Sequence, residues 1–271
     1  MTLAKRFGGE ILCADSRTLY RGMDIGTAKP SLTDRAAVPH ALLDVADPGQ
    51  TVSVAAFKAL AEVAIKDANK RCHIPFLVGG SGLFIDSVLY GFTFAPPADL
   101  GMREELSLCS LQELQDRLLV VDPTAPGRID MMNPRRVIRA IETAGQVPPT
   151  RGPLRPGTLL LGITLNKEIM QHRITLRIDS MLSQGFLDEV RTIGETYGWD
   201  SEAMTAIGYR AFKDVVVGSK PLSEARQEFI QGDLRLMKKQ LTWFRRNPDI
   251  IWLERAEDAG GYVRDFLGRA V

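Results

Sequence analysis

The chain has 271 residues, 45% hydrophobic and 25% charged, and its 34 Lys and Arg against 33 Asp and Glu leave a formal net charge of +1. Such proportions belong to a globular protein, of a length that suits one large domain or a core with a smaller insert, and they argue against indiscriminate nucleic-acid binding by bulk charge. No apolar stretch approaches the roughly 18 residues that span a membrane, no signal region opens the chain, and Cys13, Cys72 and Cys109 fit neither a metal spacing nor a disulfide framework, which points to the cytoplasm.

The first element is a buried strand, Glu10–Ala14, which stops at an acid, Asp15. A polar, glycine-punctuated loop follows to Lys29-Pro30. Thr51–Arg71 reads as a helix, with Val54, Phe57, Leu60, Ala61, Ala64 and Ile65 on one face. Ile74–Val78 reads as a second buried strand that runs into Gly79-Gly80-Ser81-Gly82, after which a helical pattern continues through Leu89. Strand, long helix, strand predicts a βαβ unit and a parallel sheet. Residues 95–145 have proline-rich edges, Ala95-Pro96-Pro97 and Pro148-Pro149, and helical patterns without a strand. Ser110 and Glu113 have the capping-box spacing, and Leu111, Leu114 and Leu118 make a stripe behind them. Thr158–Leu165 and Ile250–Leu253 are the remaining strand candidates. Between them the pattern is helical at 167–184, 186–197, 208–217 and from Ser223 to about Arg246. The expected organisation is an α/β core, residues 1–94 and 146–271, carrying a helical insert at 95–145.

In a parallel sheet, ligands bind off the carboxyl ends of the strands. Asp15 stands at such an end. It reads either as a site carboxylate or as the acceptor of an Asx-turn or helix cap. GGSG at 79–82 stands at the same place on the next strand. It reads either as a tight turn or as a loop whose backbone N–H groups meet a ligand beside the Ser81 hydroxyl. Two such ends predict a shared cleft. Cations form three clusters: Arg173 and Arg177 on one helix face, Arg135, Arg136 and Arg139 in the insert, and Arg235, Lys238, Lys239, Arg245 and Arg246 along the last long helix. Each is either a solvated face or a phosphate contact; three clusters at net +1 favour phosphates. His40, His73 and His172 show no ligand spacing.

These residues resemble a family, the tRNA dimethylallyltransferases. The segments that carry the likeness are ADSRTLYRGMDIGTAKP at 14–30, PHALLDVADP at 39–48 and IPFLVGGSGLF at 74–84. They continue with NPRRVIRAIE at 133–142, the RI-x-x-ML-x-x-GF-x-x-EV pattern at 177–190, AIGYR at 206–210 and KQLTWFRR at 239–246. The resemblance implies a P-loop-kinase-like α/β core with a helical insertion domain. It implies transfer of a dimethylallyl group from dimethylallyl diphosphate to the N6 amine of the adenosine 3′ of the anticodon, in tRNAs reading codons that begin with U. It implies Mg²⁺, the anticodon stem-loop as partner, no membrane, and a monomer.

Carried over residue by residue, the resemblance makes Asp15 the general base. It gives Asp15, Ser16, Arg17 and Thr18 to the extruded adenosine and its neighbours. Ser81, where the family usually has threonine, would contact substrate near the reacting centre. Arg210 would bind diphosphate, with Arg177 and Arg173 as further candidates. Arg135, Arg136 and Arg139, with Arg103, would hold tRNA, and the loop Ala206, Ile207, Gly208, Tyr209 and Arg210 would line the tRNA side. Asn133, Phe84 and Lys239 depart from a usual acid, tyrosine and arginine, and the insert is short. No G-x-x-x-x-G-K-[ST] occurs in the chain, and MTLAKRFGGE reads as the tail of the helix that follows such a loop. The expectation is a chain that starts after the phosphate loop, with metal ligands unassigned and little transfer of its own. Two alternatives are an inactive tRNA-binding remnant and a small-molecule kinase relative; kinases do not share the 14–30 block.

Overall fold

A short helix, α1 (Thr2–Phe7), ends at Gly8, which takes a φ of 64°. That left-handed conformation comes without strain to glycine, and it releases the chain into the strand β1 (Gly9–Cys13). The computed structural model describes residues 1–94, 100–144, 150–164 and 166–269. After β1 come α2 (Leu32–Ala37), β2 (His40–Ala41), α3 (Val54–Lys70), β3 (Ile74–Val78) and α4 (Gly82–Leu89). The three strands form a parallel sheet in the order β2–β1–β3, with Gly9 opposite Ile74 and Cys13 opposite Val78.

Every residue of β1 is buried, because strands flank it on both sides. β3 differs from the expectation of a second buried strand. Its residues are half-buried and Val78 is 53% exposed. Among the described strands it bonds to β1 alone, and an apolar run reads the same at a sheet's edge as at its centre. α3 begins at Val54 rather than Thr51, since the Ser53 side chain caps it by accepting the N–H of Ala56. Phe57 of α3 stacks on Phe84 of α4, with ring centroids 4.1 Å apart, over Leu12, Leu19 and Ala61.

The chain divides into two compact units, Met1–Tyr90 with Leu154 onward, and Gly91–Pro153. The second holds α5 (Leu100–Ser107), α6 (Leu111–Val121), a 3-10 turn at Ala125–Gly127 and α7 (Pro134–Glu142). The Ser110–Glu113 capping box forms, and Leu106, Leu114, Leu118 and Val137 make a small core. The proline-rich edges at 95–97 and 148–149 lie outside the described residues.

The first unit resumes with β4 (Leu160–Ile163), α8 (Lys167–Ser183), α9 (Phe186–Tyr197), α10 (Ile207–Val216), α11 (Leu222–Phe244), β5 (Ile250–Leu253) and α12 (Ala259–Arg269). β4 and β5 pair in parallel as a separate two-stranded sheet. β4 is shorter than expected, and Leu165 lies outside the described residues. The helices bury Phe186, Tyr209, Phe212 and Phe229 with Ile178, Met181 and Val190, and Tyr20 and Met23 of the 14–30 loop join this core. The helix expected at 208–217 is α10, which begins one residue earlier at Ile207, so the Ala206–Arg210 segment is its N-cap and first turn rather than a loop. No described helix is long and apolar enough to cross a membrane.

Candidate active site

The carboxyl ends of β1 and β3 lie side by side. The N–H of Ala14 donates to the Val78 carbonyl at 2.7 Å, and the N–H of Ser81 donates to the Ala14 carbonyl at 3.3 Å. Gly79 makes this approach possible: a Cβ there would stand 2.0 Å from the Ala14 carbonyl oxygen. The N–H of Ser16 then donates to the Ser81 hydroxyl oxygen at 3.1 Å. The two strand ends expected to share a cleft are therefore hydrogen-bonded to each other.

Asp15 is half-buried. Its Oδ1 accepts the N–H of Arg17 at 2.7 Å and that of Thr18 at 3.4 Å, the bonding of an Asx-turn. One oxygen thus shapes the loop, as the Asx-turn reading expects. The Arg17 guanidinium donates to the Glu202 carbonyl at 2.9 Å, which joins the loop to the turn before α10. Thr18 is buried.

The rest of the 14–30 loop is fixed by Lys29, whose role went unread in the sequence. Its side chain is fully buried, and its ammonium donates to the Tyr20 carbonyl at 2.7 Å, to Asp24 at 2.6 Å and to Asp44 at 2.7 Å. All three donors are satisfied, as a buried ammonium requires. Burial alone would push the Asp44 carboxyl up, but the bonds from Lys29 and Arg35 outweigh it and hold it below the usual carboxylate range. Asp44 also takes a φ of 56°, a conformation that non-glycine residues seldom adopt. Glu189 of α9 is the second unread residue: its carboxylate meets the backbone of residues 24–26 and the hydroxyl of Tyr209.

The cations are distributed differently from one another. Arg210 is exposed in the first turn of α10 and lines a cleft of about 400 Å³ with Arg235, Lys220, Asp214 and Glu228. Arg177 lines another, of about 280 Å³, with Asp24, Lys29 and Gln184, and its guanidinium pairs with Asp233 at 2.5 Å. Burial pushes the Asp233 carboxyl up, against the pull of Arg177. Arg173 is exposed on α8. In the other unit Arg135 and Arg136 are exposed on α7, whereas Arg103 and Arg139 both pair with Glu142, whose side chain is 1% exposed. Tyr209, expected toward tRNA, is fully buried against Phe186, and Gly208 and Ala206 are buried with it. Burial, then the nearby Glu189 charge, pushes the Tyr209 hydroxyl far up.

The far end of α11 closes over the glycine turn. A Cβ on Gly80 would stand 2.1 Å from the Gln240 amide nitrogen, and one on Gly82 would stand 2.5 Å from the Trp243 ring. Trp243 Nε1 donates to Asp86 of α4 at 2.9 Å. Only the 79–82 glycines signalled this in the sequence. For the expected Mg²⁺ the residues do not form a cage: among those described, no three His, Cys, Asp or Glu side chains stand where they could share an ion.

Comparison with known proteins gives matches over most of the chain. The family model described as IPP transferase matches residues 18–247. The tRNA dimethylallyltransferase of Anoxybacillus flavithermus is 39% identical over 266 residues, 94% of this chain and 85% of the relative. The crystal structure of the tRNA isopentenylpyrophosphate transferase of Bacillus halodurans superposes with a TM-score of 0.74 at 34% identity, covering 98% of this chain and 89% of its own. A eukaryotic dimethylallyltransferase acting on tRNA shares the fold, with a TM-score of 0.81 at 21% identity over 98% of this chain and 75% of its own.

Proposed function

The chain belongs to the IPP transferase family, and from that premise we propose that it transfers a dimethylallyl group from dimethylallyl diphosphate to the N6 amine of the adenosine 3′ of the anticodon, in tRNAs reading codons that begin with U. The observation that supports the reading is the junction of β1 and β3, where the N–H of Ser16, the residue after Asp15, donates to the Ser81 hydroxyl oxygen. An exocyclic adenine amine is a weak nucleophile, since its lone pair is delocalised into the ring. It attacks C1 of the allyl group as the bond from C1 to the diphosphate oxygen breaks, and the diphosphate leaves with that electron pair. The amine becomes cationic as the new C–N bond forms and gives its proton to the Asp15 carboxylate. The Ser81 oxygen already accepts the Ser16 N–H, so its own O–H is the donor left for a substrate oxygen. A guanidinium such as Arg210 stabilises the charge that grows on the leaving diphosphate.

The target base is stacked in the anticodon loop and must be extruded to reach a carboxylate at a strand end. Residues 15–18 would meet it there, and the exposed Arg135 and Arg136 would hold phosphates of the stem-loop. Mg²⁺ held chiefly by substrate phosphates, with one or two protein oxygens at most, is the mode that this donor set allows. A tRNA substrate places the work in the cytoplasm.

The test is transfer of label from dimethylallyl diphosphate to a synthetic anticodon stem-loop, run beside transfer of label from the γ-phosphate of ATP. Prenylated adenosine with no phosphoryl product supports the reading. Phosphoryl product alone would replace it with a kinase, and stem-loop binding without either product would leave a tRNA-binding protein.

A further inference from the structure

Glu189 of α9 has no role in the chemistry above, yet its carboxylate holds four donors. Oε2 accepts the N–H of Asp24 at 2.9 Å and of Ile25 at 2.8 Å. Oε1 accepts the N–H of Gly26 at 2.9 Å and the hydroxyl of Tyr209 at 2.5 Å. Three successive backbone N–H groups on one carboxylate fix the chain at 24–26, and bonds to an ionised acceptor are about twice as strong as neutral ones. The Tyr209 bond fixes the first turn of α10 to the same carboxylate. Gly26 seals the contact, since a Cβ there would stand 2.1 Å from the Phe186 ring and 2.8 Å from the Tyr209 ring.

The two elements so joined carry the two ends of the proposed chemistry. Asp15 begins the loop that contains residues 24–26, and Lys29 stiffens that loop through Tyr20 and Asp24. Arg210 follows Tyr209 on α10. We infer that Glu189 is a positioning residue for the transfer step, holding the Asp15 loop in register with the helix that carries Arg210. The inference rests on the prenyl-transfer reading. A glutamine of the same shape cannot replace the carboxylate: one oxygen becomes an NH₂, and whichever way the amide turns, that NH₂ faces a backbone N–H.

The experiment compares wild type with Glu189→Gln and with Tyr209→Phe, a milder change should the first fail to fold. Single-turnover transfer is measured with both substrates saturating and well below each melting temperature, with stem-loop affinity and amide exchange alongside. A misplacement near 1 Å costs about 10²-fold in rate, and Glu189→Gln is expected to lose that much while the stem-loop Kd stays within about threefold. Tyr209→Phe should lose less, and the double variant less than the product of the two losses. Transfer within about threefold of wild type, whatever the melting temperature does, would overturn the inference and leave Glu189 structural. Absence of transfer by wild type would instead defeat the prenyl-transfer reading. The clamp is then judged on exchange: faster exchange at 24–26 and in the first turn of α10 together, in Glu189→Gln, supports it, and faster exchange at one or neither overturns it.

Discussion

Ser16 and Ser81 are 65 residues apart in the chain, yet the N–H of Ser16 donates to the Ser81 hydroxyl oxygen at 3.1 Å. This bond makes the end of β1 and the end of β3 one site. Ser81→Ala leaves the Ser16 N–H without its acceptor, at a cost of about 1–3 kcal/mol for a fully buried donor and toward the low end here, where the bond is half-buried. Ser81→Thr keeps the oxygen and should lose less. Urea denaturation of the two variants checks the order, and equal losses would contradict it.

Gly79 should tolerate no side chain, because the atoms that a Cβ would meet are all main chain of Ala14. A Cβ would meet the Ala14 carbonyl oxygen at 2.0 Å, and neither strand end can move without breaking β1–β3 bonds. Gly79→Ala is expected to cost about 1–3 kcal/mol or more, the range for overpacking. Gly127→Ala has nothing within 4 Å of the new methyl and serves as the control, expected within about 0.5 kcal/mol of wild type in the same urea titration.

The insert arginines should separate into two kinds. Arg135→Ala with Arg136→Ala should lower the dependence of stem-loop affinity on salt, by roughly 0.7–0.9 in log–log slope for each phosphate no longer neutralised. Arg103→Ala with Arg139→Ala should lower the melting temperature, because the buried Glu142 carboxylate would lose two cationic partners. An unchanged slope in the first pair would make α7 a solvated face.

Which of these features could be read from sequence depended on how local their causes are. The long helices announced themselves by apolar spacing, and Ser110–Glu113 formed the cap its spacing implied. α2 and β2 are too short to show a period, and α12 contains the glycine pair 260–261, which weakens its pattern. The open side of β3 was invisible because strand neighbours are not written in a strand's own residues. At the site, Asp15 and Ser81 were legible from their places at strand ends. Lys29, Glu189 and Gln240 were not, since each acts on backbone or side chains far along the chain. The pairing of Arg103 and Arg139 with Glu142 was not legible either, since the sequence does not show that the Glu142 side chain is buried between them.

Stability should fall in acid. Glu10, the second residue of β1, is almost wholly buried, with the Arg71 guanidinium bonded to both oxygens at 2.7 and 2.8 Å and His73 Nδ1 2.6 Å away. The Arg71 bond, against the cost of burial, holds its carboxyl below the usual range. Asp44 and Glu142 are lowered as well, their arginine and lysine partners outweighing burial. A carboxyl with a folded pKa below its unfolded value contributes stability that is complete above the unfolded value, about 4, and lost as pH falls through the folded one. Denaturation between neutral pH and about pH 3 should show this loss, and Glu10→Gln should flatten part of it. A profile unaltered by Glu10→Gln would contradict the assignment.

The central claim is that the carboxylate at the end of β1 takes the proton from the attacking amine. Asp15→Asn tests it most directly, because the asparagine carbonyl can still accept the N–H of Arg17 and keep the turn while the basic oxygen is gone. The measurement is single-turnover transfer from dimethylallyl diphosphate to the anticodon stem-loop, with stem-loop affinity measured on the same samples. The predicted result is unchanged affinity with a rate lower by about 10²–10⁴-fold, the range for loss of a general base. A rate within about threefold of wild type would remove Asp15 from the mechanism.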